Sequence, residues 1–124
     1  MENKLRILAV DDNAQIRNVM CRVLRDYDVV TCADGTEAMS ILGEDDGFDV
    51  ILSDMDMLPM SGADLYRALV EHHPALSERV VFVTGGGASK DQRDFLIGTR
   101  RPTISKPFRP EELTGAISAI VRSG

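Results

Sequence analysis

Residues 5–13 read Leu5-Arg6-Ile7-Leu8-Ala9-Val10-Asp11-Asp12-Asn13, and the rest of the chain is read outward from them. A short, mainly apolar run suits a buried strand, and this one ends abruptly in two acids. Beyond it Ile16, Val19, Met20, Val23, Leu24 and Tyr27 recur at the spacing that puts them on one face of a helix. The stretch is therefore a strand and a helix joined by a turn that carries Asp11 and Asp12.

The same unit repeats along the chain. Residues 29–32 read as a second strand, Asp34-Gly35 as a turn, and 36–43 as a helix with Ala38, Met39 and Leu42 inward. The third strand, 48–53, runs straight into Asp54. A loop through Pro59 leads to Ser61, placed to cap a helix over 62–72 with Asp64 three residues on in a capping-box-like arrangement, and Pro74 ends that stretch. Residues 79–83 form a fourth strand, followed by Thr84, Gly85-Gly86-Gly87 and a polar helix over about 89–97 with a thin apolar face. Residues 103–105 make a short fifth strand. After Lys106-Pro107-Phe108 the last helix opens with Pro110 at N1 and with Glu111 and Glu112 at the positive end of the helix dipole. Five strands alternating with five helices predict an α/β fold, a doubly wound parallel sheet.

Composition sets limits on function. At 124 residues, 44% hydrophobic and 27% charged, the sequence fits one ordinary globular domain over 1–124. No apolar run approaches the ~20 residues of a membrane span, and Met1-Glu2-Asn3-Lys4 lacks a signal-peptide pattern. A formal charge of −6 opposes the phosphate-backbone electrostatics of nucleic-acid binding. Cys21 and Cys32 sit in apolar patterns without metal spacing, so buried, reduced thiols and a cytoplasmic setting are expected. The end at Gly124, just past the last helix, leads to the expectation that any effector domain is a separate or removed portion.

Ligands of doubly wound sheets bind at the carboxyl ends of the strands. Just past the inner strands stand Asp11 and Asp12, then Asp54, then Thr84, then Lys106. Each alone suits an ordinary role: a helix cap, a turn, a solvated loop. Three carboxylates converging on one crevice repel unless a cation or proton compensates, and Mg²⁺ suits such an oxygen site while keeping positions open for phosphate. Lys106 and the Thr84 hydroxyl add a positive charge and a donor for phosphoryl oxygens. The set equips Asp54 to attack phosphorus and form an aspartyl phosphate, with Gly85 leaving room for the donor or for water.

In its spaced motifs the chain resembles the receiver domain of two-component response regulators, the CheY-like domain, over nearly its whole length. The matching pieces are Asp11-Asp12 after a strand, Asp54 with Gly62 eight residues on, Val83-Thr84-Gly85, and Lys106-Pro107-Phe108. The resemblance implies a flavodoxin/CheY-like sheet of order 2-1-3-4-5 and Asp54 as phosphoacceptor. It implies Asp11, Asp12, Asp54 and the Asp56 backbone carbonyl as Mg²⁺ ligands, Thr84 and Lys106 as sensors of the phosphoryl group, and a cis peptide before Pro107. The implied donor is the phosphohistidine of a sensor histidine kinase or histidine phosphotransfer domain. The implied target is a downstream effector protein or fused domain, reached through the face built from the fourth helix, fifth strand and last helix. The domain itself is expected to contact neither nucleic acid nor membrane and to be no enzyme beyond assisting its own phosphotransfer and dephosphorylation.

Three places depart from the family pattern. Leu58 stands where a proline is usual, with Pro59 next; Thr103 replaces a usual Tyr or Phe; and Asp56 adds a carboxylate beside the site. The glycine run reads as a flexible switch loop. The glycines and the missing ring resemble receivers of hybrid histidine kinases, and a free-standing regulator fits nearly as well. His72 and His73 are adjacent on a helix and read as exposed residues near its end, while Met55, Met57 and Met60 read as packing around the strand end rather than a soft-metal box.

Other functions fit less well. Asp54-Met55-Asp56 matches the Asp-x-Asp core of haloacid-dehalogenase-type phosphatases, but Leu58 stands where that motif continues to Thr or Val. A flavodoxin-like carrier needs a phosphate loop where Asp11-Asp12-Asn13 would repel the anion. A receiver-like docking module that has lost phosphorylation would not need the intact acid, threonine and lysine set.

Overall fold

The computed structural model describes residues 4–85 and 87–123. The first three residues, where no signal pattern was read, and Gly86 of the expected switch loop therefore lie outside the described residues. In chain order the elements are β1 (Arg6–Val10), α1 (Ala14–Val23), β2 (Asp28–Cys32), α2 (Gly35–Glu44), β3 (Val50–Asp54), α3 (Gly62–His72), α4 (Pro74–Ser77), β4 (Val80–Thr84), α5 (Lys90–Thr99), β5 (Thr103–Ser105) and α6 (Pro110–Ser123). All strand pairs are parallel and the sheet order is β2-β1-β3-β4-β5. The α/β doubly wound arrangement is as expected.

Strand alternation sends successive side chains to opposite faces, and the core divides accordingly. Leu8, Val10, Ile51, Val80 and Phe82 pack with Leu42, Leu65 and Leu69 on one side of the sheet. Ile7, Ala9, Leu52, Val81 and Val83 pack with Met20, Leu24, Leu113 and Ile117 on the other. β3 and β4 are buried along their whole length, whereas β2 and β5 are partly exposed at the edges. Burying each large aliphatic side chain contributes roughly 1.5–3 kcal/mol, so the three inner strands hold the carboxyl-end crevice on a rigid base.

Two boundaries differ from the sequence reading in a way that matters for the site. Asp54 and Thr84 are the last residues of β3 and β4, not the first residues beyond them, and pair in register with Val83 and Ser105. Their backbones are thus fixed by the ladder. Among the described residues there are also six helices, not five: Pro74 both ends α3 and opens the single turn α4. A proline at N1 has no amide to leave unpaired and a φ already suited to the helix, and Ser77 Oγ donates to the Pro74 carbonyl at 2.6 Å.

Helix starts follow local chemistry. Asn13, Asp34, Ser61 and Ser89 each accept backbone amides of the first turn that follows. Only Ser89 completes a reciprocal capping box, with Gln92 at N3. α5 is thin-faced as read, with no fully buried residue, and is held to the core by half-buried Phe95 and Leu96.

The cysteines part company. Cys32 is buried at the end of β2, whereas Cys21 is exposed, contrary to expectation, because it lies one residue and so about 100° round α1 from buried Met20. Burial, then the charges of Glu37 and Asp34, push the Cys32 thiol up to about 12. In the native protein a thiol reagent at pH 8 is expected to label one cysteine quickly and the second only after denaturation. Mass mapping that finds Cys32 labelled first would contradict this assignment.

Candidate functional site

The ends of β1 and β3 and the β5–α6 turn bring four charged side chains to one place. Asp11 follows β1, with its amide donated to the Cys32 carbonyl at 3.1 Å and its Oδ1 accepting the Asn13 amide at 2.9 Å. Its side chain is 0% exposed, and that of Asp54 is almost as deeply buried. Asp12 is exposed at the rim. One carboxylate oxygen from each of Asp11, Asp12 and Asp54 lies within 4.8 Å of the other two.

Lys106 projects into this acidic group. Its Nζ stands 2.9 Å from Asp11 Oδ2 and 3.2 Å from Asp54 Oδ1. Its backbone amide donates to the Thr84 carbonyl at 2.6 Å, which anchors the turn to β4. The Lys106–Pro107 peptide is cis, as the resemblance implied, and Leu58–Pro59 is cis as well. Thr84 is buried at the end of β4, and Gly85 leaves open space where a Cβ would stand.

One ammonium does not balance these carboxylates. Burial first, and then the Asp11 charge, push Asp54 up to about 6, against the opposing pull of Lys106. For Lys106, burial favours the neutral amine, but contacts with Asp11 and Asp54 outweigh it and hold its pKa above the ordinary value. Asp11 Oδ2 is buried, with the Lys106 ammonium 2.9 Å away and no other polar partner to share its charge. A buried carboxylate oxygen with one ammonium beside it, facing two further carboxylates, is a donor set suited to a hard divalent cation.

The loop after β3 explains the spacing of Asp54 and Gly62. The Gly62 amide donates to the Met55 carbonyl at 3.1 Å, and a Cβ on Gly62 would run into the Asp54 carbonyl oxygen and come within 2.9 Å of Met55 Cα. Only glycine permits that approach. Met55 and Met57 are buried, while the chain's most exposed large apolar side chain among the described residues is Leu58, at 84%. The loop borders a groove of about 540 Å³ whose lining includes Asp12, Asp56, Leu58 and Gln92.

Of the residues singled out in the sequence, Asp11, Asp12, Asp54 and Lys106 are brought together, and Thr84 closes the adjacent strand. The Asp56 side chain is outside the carboxylate cluster: it is exposed and accepts from Gln92 Nε2 at 2.8 Å. His72 is exposed and His73 half-buried at the end of α3, and Thr103 is exposed on β5. Two participants escaped the sequence reading. Arg17 on α1 donates through Nη1 to the Asp11 carbonyl at 2.7 Å, and Gln92 reaches the loop from α5. The Ser89-x-x-Gln92 capping pattern was available as a signal for Gln92, but nothing local marks its partner.

Comparison with known proteins agrees with this geometry. The response regulator receiver domain family matches residues 7–118. Among curated relatives, the transcriptional regulatory protein CpxR of Escherichia coli K12 is 30% identical over 119 residues, covering 94% of this chain and 49% of its own. The DNA-binding response regulator MtrA of Mycobacterium tuberculosis H37Rv is 32% identical over 122 residues, covering 94% and 50%. The chain thus spans about half the length of the curated relatives it matches. Among solved structures, a response regulator receiver domain protein of Clostridium thermocellum aligns with a TM-score of 0.85 at 25% identity, covering 96% of this chain and 95% of that one. The Vibrio cholerae chemotaxis protein CheY4 aligns at 0.79 and 28%, covering 94% and 98%. With the carboxylate cluster, the lysine and the sheet order in place, this chain belongs to the response regulator receiver domain family.

Proposed function

We propose that residues 1–124 form a single receiver domain that takes a phosphoryl group onto Asp54 from the phosphohistidine of a sensor histidine kinase or histidine phosphotransfer domain. The observation that carries this reading is the Asp54 carboxylate, buried at a strand end, in contact with Lys106 and within reach of the Asp11 and Asp12 carboxylates. Asp11, Asp12, Asp54 and the Asp56 backbone carbonyl are the residues to hold Mg²⁺. When bound, that ion supplies positive charge against the phosphoryl oxygens.

An Asp54 oxygen attacks phosphorus in line, the P–N bond to the donor imidazole breaks, and its electron pair leaves with the imidazole. Lys106 stays beside the attacked group and offsets charge on its oxygens, while the Thr84 hydroxyl donates to one of them. Gly85 adds no side chain that would block the approach. Beyond this self-assisted transfer and the hydrolysis of the aspartyl phosphate by water, which releases inorganic phosphate and frees Asp54, the domain is not an enzyme. It works in the cytoplasm and passes its state to an effector, fused or separate. The charge of −6 supports an output through protein contact rather than direct nucleic-acid binding. Among the described residues no helix is long and apolar enough to cross a membrane.

Intact mass after incubation with acetyl phosphate and Mg²⁺ tests the reading. One phosphoryl group is expected on the native chain, and none on Asp54→Asn or with excess chelator. Absence of any addition to the native chain, with beryllofluoride also failing to bind, would overturn the proposal in favour of a docking module.

A further inference from the structure

The loop after Asp54 and the first turn of α5 are joined through one side chain. Gln92 Oε1 accepts the Ser89 amide at 3.2 Å, and the Gln92 amide donates to Ser89 Oγ at 3.1 Å, which closes the capping box. The other end of the same carboxamide, Nε2, donates to Asp56 Oδ1 at 2.8 Å. Its acceptor therefore serves the start of the helix and its donor serves the loop 36 residues earlier. A hydrogen bond to a carboxylate is among the stronger kinds. Among the described residues, no other side-chain hydrogen bond ties α5 to a part of the chain distant in sequence.

The two ends of this bond differ in rigidity. Asp56 lies between buried Met55 and Met57, and the Met55 amide donates to the Val83 carbonyl at 3.3 Å. This end of the bond is therefore anchored next to the end of β3. α5 is loosely held: it buries no residue fully, and Gly87 just before it adopts φ +84°, a conformation open to glycine at little cost. Elements with few buried contacts shift at the lowest free-energy cost. Such a helix follows a polar tether at its first turn.

From this geometry we propose that Gln92 is a positioning residue that makes α5 respond to occupancy of the Asp54 site. A cation at the Asp56 carbonyl, or a phosphoryl group on Asp54, displaces residues 55–57, and the Asp56–Gln92 bond carries that displacement into the first turn of α5. The same helix supplies Arg93, Leu96 and Ile97 to an open groove of about 440 Å³ shared with Arg100, Arg101 and Thr103, so its movement reshapes a cationic, partly apolar surface on an otherwise acidic chain. The inference rests on the phosphoacceptor reading given above.

Two variants separate the tether from the cap. Gln92→Glu keeps a residue able to cap at N3 but removes the donor and sets a second negative charge against Asp56. The double variant Asp56→Asn/Gln92→Glu restores a donor–acceptor pair with the polarity reversed. Amide NMR spectra are recorded for the full chain with Mg²⁺, before and after beryllofluoride. In the wild type, amides of residues 11–13, 54–57 and 90–95 are expected to shift on addition. In Gln92→Glu the first two groups keep their displacement and 90–95 lose most of theirs, and the double variant regains it. Equal displacement of 90–95 in Gln92→Glu and wild type, or no recovery in the double variant, would overturn the role of Gln92 and leave the phosphoacceptor reading standing. Wild-type amides of 11–13 and 54–57 that do not move at all would overturn that reading and this inference with it.

Discussion

Replacement of Lys106 by methionine is expected to destabilise the metal-free protein by about 3–5 kcal/mol, the cost of stripping a buried charge group of its partner. Methionine keeps much of the aliphatic volume, so the loss reports the ammonium. With Lys106 gone, buried Asp11 and Asp54 face each other and Asp12 with no cation among them. The pKa of Lys106 is held above its ordinary 10.5 despite burial, by Asp11 and Asp54. The stabilisation it gives is therefore present at neutral pH and lost as pH rises through the folded-state value, and it also fades as pH falls through about 6, where Asp54 takes up a proton. Urea unfolding at pH 7.5 in a chelator measures the effect. Millimolar Mg²⁺ should recover part of the loss, since a ligand at 100 times its Kd stabilises by about 2.7 kcal/mol. A variant within 1 kcal/mol of wild type in the chelator would mean that Lys106 does not neutralise this cluster.

Asp54→Asn acts in the opposite direction. Burial and the Asp11 charge move this carboxyl from 3.8 to about 6 in the folded chain. Between those two values the native state binds more protons than the unfolded state, so metal-free stability falls as pH rises through that interval and levels off above it. A shift of that size corresponds to a penalty of about 2–3 kcal/mol at neutral pH, at roughly 1.4 kcal/mol per pH unit. Asparagine carries no charge and escapes it. Melting curves in a chelator should show the variant more stable than wild type near pH 7.5, with the gap closing towards pH 4.5. Mg²⁺ should narrow the gap at pH 7.5 from the other side, because the wild-type carboxylate then has a cation to meet. A gap that does not depend on pH would place the cause elsewhere than in Asp54 ionisation.

Much of this arrangement was legible in the sequence because it is encoded locally. Leu5 to Val10 reads as a strand from its apolar run, with buried Asp11 and exposed Asp12 directly after it, and Asn13, Ser61 and Ser89 announce helix starts because they satisfy first-turn amides. The unpromising face of α5 was equally visible, and the helix buries nothing fully. Boundaries were less so: strand pairing draws Asp54 and Thr84 into the ladder, and Pro74 opens a turn as well as closing one.

Local pattern by itself determined the order of strands and helices and placed Asp11, Asp12, Asp54, Thr84 and Lys106 at strand ends, since period and capping act over a few residues. Only the tertiary structure decided that Lys106 touches both Asp11 and Asp54, that Gln92 holds Asp56, that Cys21 faces water while Cys32 does not, and that Gly62 must lack a Cβ to pass the Asp54 carbonyl. These contacts join residues far apart in the chain or depend on which side of an element meets its neighbour. They arise when the parallel strands align and leave no periodic mark on the sequence.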